Sequence, residues 1–244
     1  MMRFHWTALL FALAVVTIPG SSQVTETTPR DKIGFASPIA SISGWQVPSG
    51  IDRHNYEISR DTSVRHQGLA SAYLRSKVPN PTGPNNTFLR QVVGVTDYLN
   101  KRVRFSVYAK TENVEYVNFW MQMAGEGGLV MNDDRMANRP LTGSLDWRRY
   151  DLVLDVPQGT HQIVLGISLK GRGHLWVDDL RFEEVGNDVP TTAIKSPAEI
   201  QAGSAAFIEQ YKAANPDAYA NQVAGAPAYI KRLPRAPLNL DFEN

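Results

Sequence analysis

The stretch His174-Leu-Trp-Val-Asp-Asp-Leu-Arg-Phe-Glu-Glu-Val185 alternates aromatic and aliphatic residues with polar ones and carries two adjacent carboxylates. It closes a long series of similar runs. A period of two places successive side chains on opposite faces of an extended strand, and no helix satisfies it. The other runs are Tyr56–Arg60, Ala70–Ser76, Phe88–Val93, Arg102–Lys110, Val117–Met123, Arg148–Val156 and Gln162–Lys170. Between them stand turn formers: Pro79-Asn-Pro-Thr-Gly-Pro84, Gly125-Glu-Gly-Gly128, Pro157-Gln-Gly159 and Gly171-Arg-Gly173. Short strands separated by Gly/Pro turns predict an all-β antiparallel sandwich.

The alternation assigns faces. Val103, Phe105, Val107 and Ala109 point one way, Arg102, Arg104, Ser106, Tyr108 and Lys110 the other. In the next strand Val117, Phe119, Met121 and Met123 are core-like, and Asn118, Trp120 and Gln122 lie opposite. Tyr150, Leu152, Leu154 and Val156, then Ile163, Leu165, Ile167 and Leu169, continue the core. Each such side chain contributes roughly 1.5–3 kcal/mol on burial, largely offset by chain entropy.

The pattern changes after Gly186. Ser196-Pro197 with Glu199 reads as a capped helix start, and Ala198–Ala214 as an amphipathic helix that Asn215-Pro216 stops. A short second helix is expected over Asp217–Gln222, then an extended tail from Pro227. At the other end, Arg3 and His5 precede an apolar run, Trp6–Ile18, followed by Pro19-Gly20-Ser21-Ser22. That order reads as a secretory signal peptide over 1–22, too short for the roughly 20 apolar residues of a span. An uncleaved anchor is the alternative. Residues 23–43 read as a linker or first strand, 44–186 as the sandwich, and 187–244 as a helical and extended tail. An exported protein, periplasmic or extracellular, with no membrane span in the mature chain is the expectation.

Composition removes several function classes. The net charge of +1 gives no general attraction for nucleic acid or anionic membranes, so no nucleic-acid partner is expected. Cysteine is absent, which removes disulfides and thiolate chemistry. The histidines lack metal-ligand spacing and no Gly-x-Ser-x-Gly occurs. A non-catalytic binding protein is therefore expected.

Gly68-Leu-Ala-Ser-Ala-Tyr-Leu-Arg75, Lys101-Arg-Val-Arg-Phe-Ser106, Lys110-Thr-Glu112, Asp146-Trp147 and Trp176-Val-Asp-Asp179 stand in an order that resembles the jelly-roll modules of carbohydrate-binding and galactose-binding-like type. Arg139-Pro140, Gly143 and Trp147 are similar to a signature of accessory modules in bacterial secreted proteins. The resemblance covers about residues 44–186 and implies a jelly roll that binds a glycan or cell-envelope polymer. In one respect the chain departs from it. Such modules begin on a strand of the form Asn-Leu-Asp-Phe-Glu, and here that string is Asn239–Glu243. It either returns to the first-strand position or begins a second module.

Sugar sites use aromatic rings to stack on apolar sugar faces, with amide and charged groups around the hydroxyls. Trp120 flanked by Asn118 and Gln122, beside Tyr108 and Arg104, offers that set on a non-core face; packing of Trp120 beneath the tail is the competing reading. Asp134, in Asn132-Asp-Asp-Arg135, is a further ligand candidate or part of a solvated turn. The resemblance also implies a structural calcium, with Asp178 and Asp179, joined by Asp241 and Glu243 if the tail returns, as tentative ligands. No other cofactor is expected. In the second reading the sandwich is scaffold, and residues 198–244 engage a protein partner.

Overall fold

The protein is described by a computed structural model over residues 42–47, 55–81 and 86–243. The signal-peptide reading of 1–22 lies outside these residues. The fold is the expected antiparallel jelly-roll sandwich with short C-terminal helices. Its elements are β1 (Tyr56–Asp61), β2 (Ser71–Ser76), β3 (Asn86–Gly94), β4 (Arg102–Ala124), β5 (Val130–Asp134), β6 (Leu141–Asp155), β7 (Gln162–Lys170), β8 (His174–Val185), α1 (Pro197–Ala214) and α2 (Pro216–Ile230).

The hydrogen-bonded order is β1-β2-β8-β4-β7-β3, with β5 and β6 also paired to β4. The two runs expected at Arg102–Lys110 and Val117–Met123 are one 23-residue strand. Its first half pairs with β8 and with the end of β6, its second half with β7 and β5. Register shifts at Ala109/Thr111, Thr111/Val114 and Val114/Val117 mark the bend between the halves, where Asn113 has φ 51°. Bulges bend a strand and increase its twist, so β4 passes from one layer of the sandwich to the other. The rings of Phe119 and Tyr150 meet across the layers at 5.7 Å.

Gly173 explains how the β7–β8 hairpin closes over this bend. Its φ is +114°, and a Cβ there would stand 2.5 Å from the Val114 Cα. Only glycine fits both the conformation and the approach.

The alternation predicts the core. Val103, Phe105, Val107, Ala109, Val117, Phe119, Met121 and Met123 are all fully buried, as are Ile163, Leu165, Ile167 and Leu169. Two further features depart from expectation. β5 fills the segment expected as a turn at Asn132–Arg135, and α2 runs on through Pro227 to Ile230.

The chain's last residues return to the sandwich, though not as a strand. Phe242 is fully buried and its ring lies 5.6 Å from that of Trp45. Leu180 N–H donates to the Leu240 carbonyl at 3.0 Å, and Trp45 Nε1 to the Asn239 carbonyl at 3.1 Å. Gln91 accepts from Leu238 N–H at 2.9 Å. Asn239 and Phe242 take φ of 48° and 57°, so the segment turns instead of pairing as an extended strand. Of the two alternatives for Asn239–Glu243, the structure shows the return.

Candidate functional site

The bend in β4 divides the expected ligand set. Arg104 and Tyr108 belong to the half that pairs with β8; Asn118, Trp120 and Gln122 belong to the half that pairs with β7. Both groups point away from the core, so they emerge on opposite faces of the sandwich. The single surface expected from the alternation is corrected to two.

The second of these faces is floored by β3, β7, β5 and the second half of β4. Phe88, Val92, Trp120 and Val164 form a small apolar cluster there, separate from the main core, with Tyr229 and Leu233 packed onto it. Trp120 is only 6% exposed, so it is not an open stacking platform. Gly166, across the ladder from it, supplies the space it uses: a Cβ at 166 would collide with Trp120 Cε2 and Cζ2. The indole therefore lies across a bare stretch of backbone. Phe88 meets it edge-on at 6.3 Å, and the Arg135 guanidinium sits 5.5 Å over the ring, within cation–π range.

Arg135 is held there. Asn118 Nδ2 donates to its carbonyl at 3.0 Å, and its own Nε donates to Asp133 at 2.8 Å. Asn118 is occupied further by the Ser168 hydroxyl, 3.0 Å away, so it positions Arg135 and is not an open ligand group. Gln122 and Gln162 differ. They line a cleft of about 130 Å³ between the sheet and the helices, together with Arg90, Trp120 and Arg135. Burial lowers the pKa of Arg90, while Tyr229 acts in the opposite direction. Burial raises that of Tyr229, and Arg90 draws it back. The floor thus combines an indole with guanidinium and amide groups.

The other side of the cleft comes from Phe207, Ile208 and Tyr211 of α1 and Tyr219 and Gln222 of α2. α1 starts on the expected N-cap Ser196, with Pro197 behind it, and the structure adds a capping box between Ser196 and Glu199. It is seated by Val130 N–H donating to Ser204 Oγ at 2.8 Å and by Gln201 Nε2 donating to the Met131 carbonyl at 3.0 Å. The sequence reading missed Arg90, Gln162, Gly166, Tyr211, Tyr219 and Gln222 as members of this site. Gly166 alone carried a legible signal, since a glycine inside a strand marks a close approach.

Asp134 is buried and fully engaged by protein partners. Its carboxylate is 1% exposed and pairs with Arg139, and Met136 N–H donates to it at 2.9 Å. The Thr192 hydroxyl also donates to it, while Val153 N–H donates to Thr192 Oγ1 at 2.8 Å. Asp134 therefore ties the chain leaving β8 to β5 and β6.

On the opposite face, Tyr108 is stacked by His66 at 3.9 Å, with Trp147 5.6 Å from that imidazole. Arg104 is paired with Glu183. The four residues named for calcium have protein partners there. Asp178, 1% exposed, accepts the amides of His66 at 2.7 Å, Gln67 at 2.9 Å and Asp179 at 2.7 Å. Asp179 stands 3.9 Å from His66 and 3.3 Å from Arg181. Asp241 accepts Glu243 N–H at 3.3 Å, and Glu243 Oε1 accepts Leu69 N–H at 2.7 Å. Among the described residues no three His, Asp or Glu side chains gather as a metal-holding group. Asp178 and Glu243 accept backbone amides of the 62–70 loop, while Asp179 and Asp241 have other partners.

Burial raises the Asp178 pKa, and the three amide hydrogen bonds oppose that rise. Asp178→Asn exchanges one acceptor oxygen for an amino group facing these N–H donors. A loss of about 1–3 kcal/mol is expected from the donors left unmatched, measured by chemical denaturation. The fold should survive and the 62–70 loop should lose protection.

No protein-family model matches the chain. It is 38% identical over 160 residues to the uncharacterized HTH-type transcriptional regulator YbfP of Bacillus subtilis, a match over 65% of this chain and 54% of that protein. The chain thus spans about half the length of this curated relative. Several solved structures similar to it are carbohydrate-binding modules. The CBM22-1 xylan-binding domain from Paenibacillus barcinonensis Xyn10C aligns with TM-score 0.42 and 17% identity over 58% of this chain and 86% of that one. TmCBM61 in complex with β-1,4-galactotriose aligns with TM-score 0.41 and 18% identity over 59% and 91%. The enzymatically active domain of bacteriophage CBA120 tailspike protein 4 aligns with TM-score 0.44 and 14% identity over 59% of this chain and 20% of that one.

Proposed function

We propose that the protein is a non-catalytic carbohydrate-binding module whose site is the cleft between the second layer and the C-terminal helices. One observation carries this reading. Trp120 lies flat across Gly166 in the floor of a concavity that Gln122, Gln162, Arg90 and Arg135 share. A flat indole offers its face to the C–H side of a sugar ring, and the amides and guanidinia can bond the hydroxyls around it. Arg135 holds the position above the ring and moves aside when a sugar stacks.

Xylan-derived oligosaccharides and β-1,4-galactotriose belong in the first panel of probes, alongside bacterial cell-envelope glycans. Binding of at least one, weakened on alanine replacement of Gln122 and Gln162, supports the reading. A folded protein that retains none of them sinks it.

Export belongs to the same proposal and rests on the composition of residues 1–22. Among the described residues no helix is long and apolar enough to cross a membrane. N-terminal sequencing of the mature protein tests it: a start near Ser22 or Gln23 is expected, and a start at Met1 contradicts it.

A further inference from the structure

Between β8 and the chain's end, the two helices form an excursion tied down at both ends. Upstream, Thr192 N–H donates to the Val153 carbonyl at 2.9 Å while its hydroxyl engages Asp134. Downstream, Gly94 N–H donates to the Pro234 carbonyl at 2.8 Å, and the buried Phe242 follows. Neither tie involves α1 or α2.

Between the ties the helices are held by the Ser204 and Gln201 hydrogen bonds to β5 and by Tyr229 and Leu233 on the apolar cluster. Of the 18 residues of α1 only Ser204 is buried, and of the 15 of α2 none is. The apolar cluster beneath them is separate from the main core. Lifting the helices would uncover that small cluster and leave the core and the Phe242 tail in place. Segments with few buried apolar contacts open locally at a fraction of the global unfolding free energy.

With the helices seated, the cleft holds about 130 Å³. Ordinary ligand pockets occupy about 300–1,000 Å³. A glycan of several sugar units therefore has no room to reach Trp120 in this arrangement.

We propose that the α1–α2 hairpin is a lid, hinged near Thr192 and Pro234, that swings away to expose the outer face of β3, β7 and β4 to a glycan chain. Its ligand rests on the carbohydrate-binding reading; its motion does not. The closed state competes with the ligand for Trp120, so apparent affinity falls by the fraction of molecules that are open.

Hydrogen exchange read by mass spectrometry on the full chain tests the motion without any sugar. Amides at 204–208 should exchange at least about 100-fold faster than those of β4 and β7, since they open sub-globally. Replacing Tyr229 and Leu233 by Ser should speed α1 and α2 exchange by a further factor of about 10 and leave the strands unchanged. Exchange of the helices only at the rate of the strands would overturn the lid.

The same double variant is then titrated with the oligosaccharide panel. Binding tightened about 3- to 10-fold over wild type is expected from the larger open fraction. Equal affinity, with the exchange contrast present, would show that the helices move without gating the site, and overturns the proposal. If neither protein binds any member of the panel while the contrast persists, the lid motion stands and the carbohydrate reading fails.

Discussion

Phe242→Ala should cost about 3–5 kcal/mol of stability, the usual result of truncating a fully buried aromatic side chain. In a domain of this size that corresponds to a drop in melting temperature of about 10 °C. The effect is large for a residue so near the end of the chain because the side chain completes the main core. It is fully buried against Trp45, and the residues before it supply hydrogen bonds to Leu180, Gln91 and Trp45. A terminal residue that merely rested on the surface would change stability by less than about 0.5 kcal/mol. Thermal and urea denaturation of the variant distinguish the two, and an unchanged melting temperature would show that the tail does not dock.

Gly166→Ala should lower stability by about 1–3 kcal/mol, as overpacked sites do. The sign is the informative part. The backbone at 166 does not lie in the left-handed region, and Gly→Ala at such a position usually stabilises by about 0.4–1 kcal/mol through the unfolded state. A loss therefore reports the indole of Trp120 lying across the backbone, where a Cβ would collide with it. Any sugar affinity should fall in the same variant, because the ring must tilt to escape. A stabilised variant would mean that the ring does not lie on Gly166.

The sandwich was legible because its core obeys a two-residue period. The alternation in 102–110, 117–123 and 162–170 identifies side chains that are all buried in the fold. Alternation is local, however, and does not report when a strand changes layers. Tyr108 and Trp120 share a parity along one strand, yet the bulges between Ala109 and Val117 send them to opposite faces. The competing reading of Trp120, packed beneath the tail, is what the fold shows, with Tyr229 and Leu233 lying on its cluster. The local pattern does not report how α1 is seated, which depends on Ser204 and Gln201 meeting β5. Asp178 and Asp134 illustrate a further limit. A buried carboxylate that caps backbone amides and one that binds a ligand read alike in sequence, and only the positions of the amides separate them.

The central claim is that the cleft beneath the helices binds carbohydrate through its floor. Calorimetric titration of the oligosaccharide panel into wild type and into the Gln122→Ala/Gln162→Ala variant tests it most directly. Neither side chain packs in the core, so the variant should fold and melt as wild type does. Two lost hydrogen bonds at about 0.5–1.5 kcal/mol each predict a roughly 5- to 150-fold weaker affinity. Wild-type binding with that loss is the expected result. Equal affinities in the two proteins would place the site elsewhere and contradict the account.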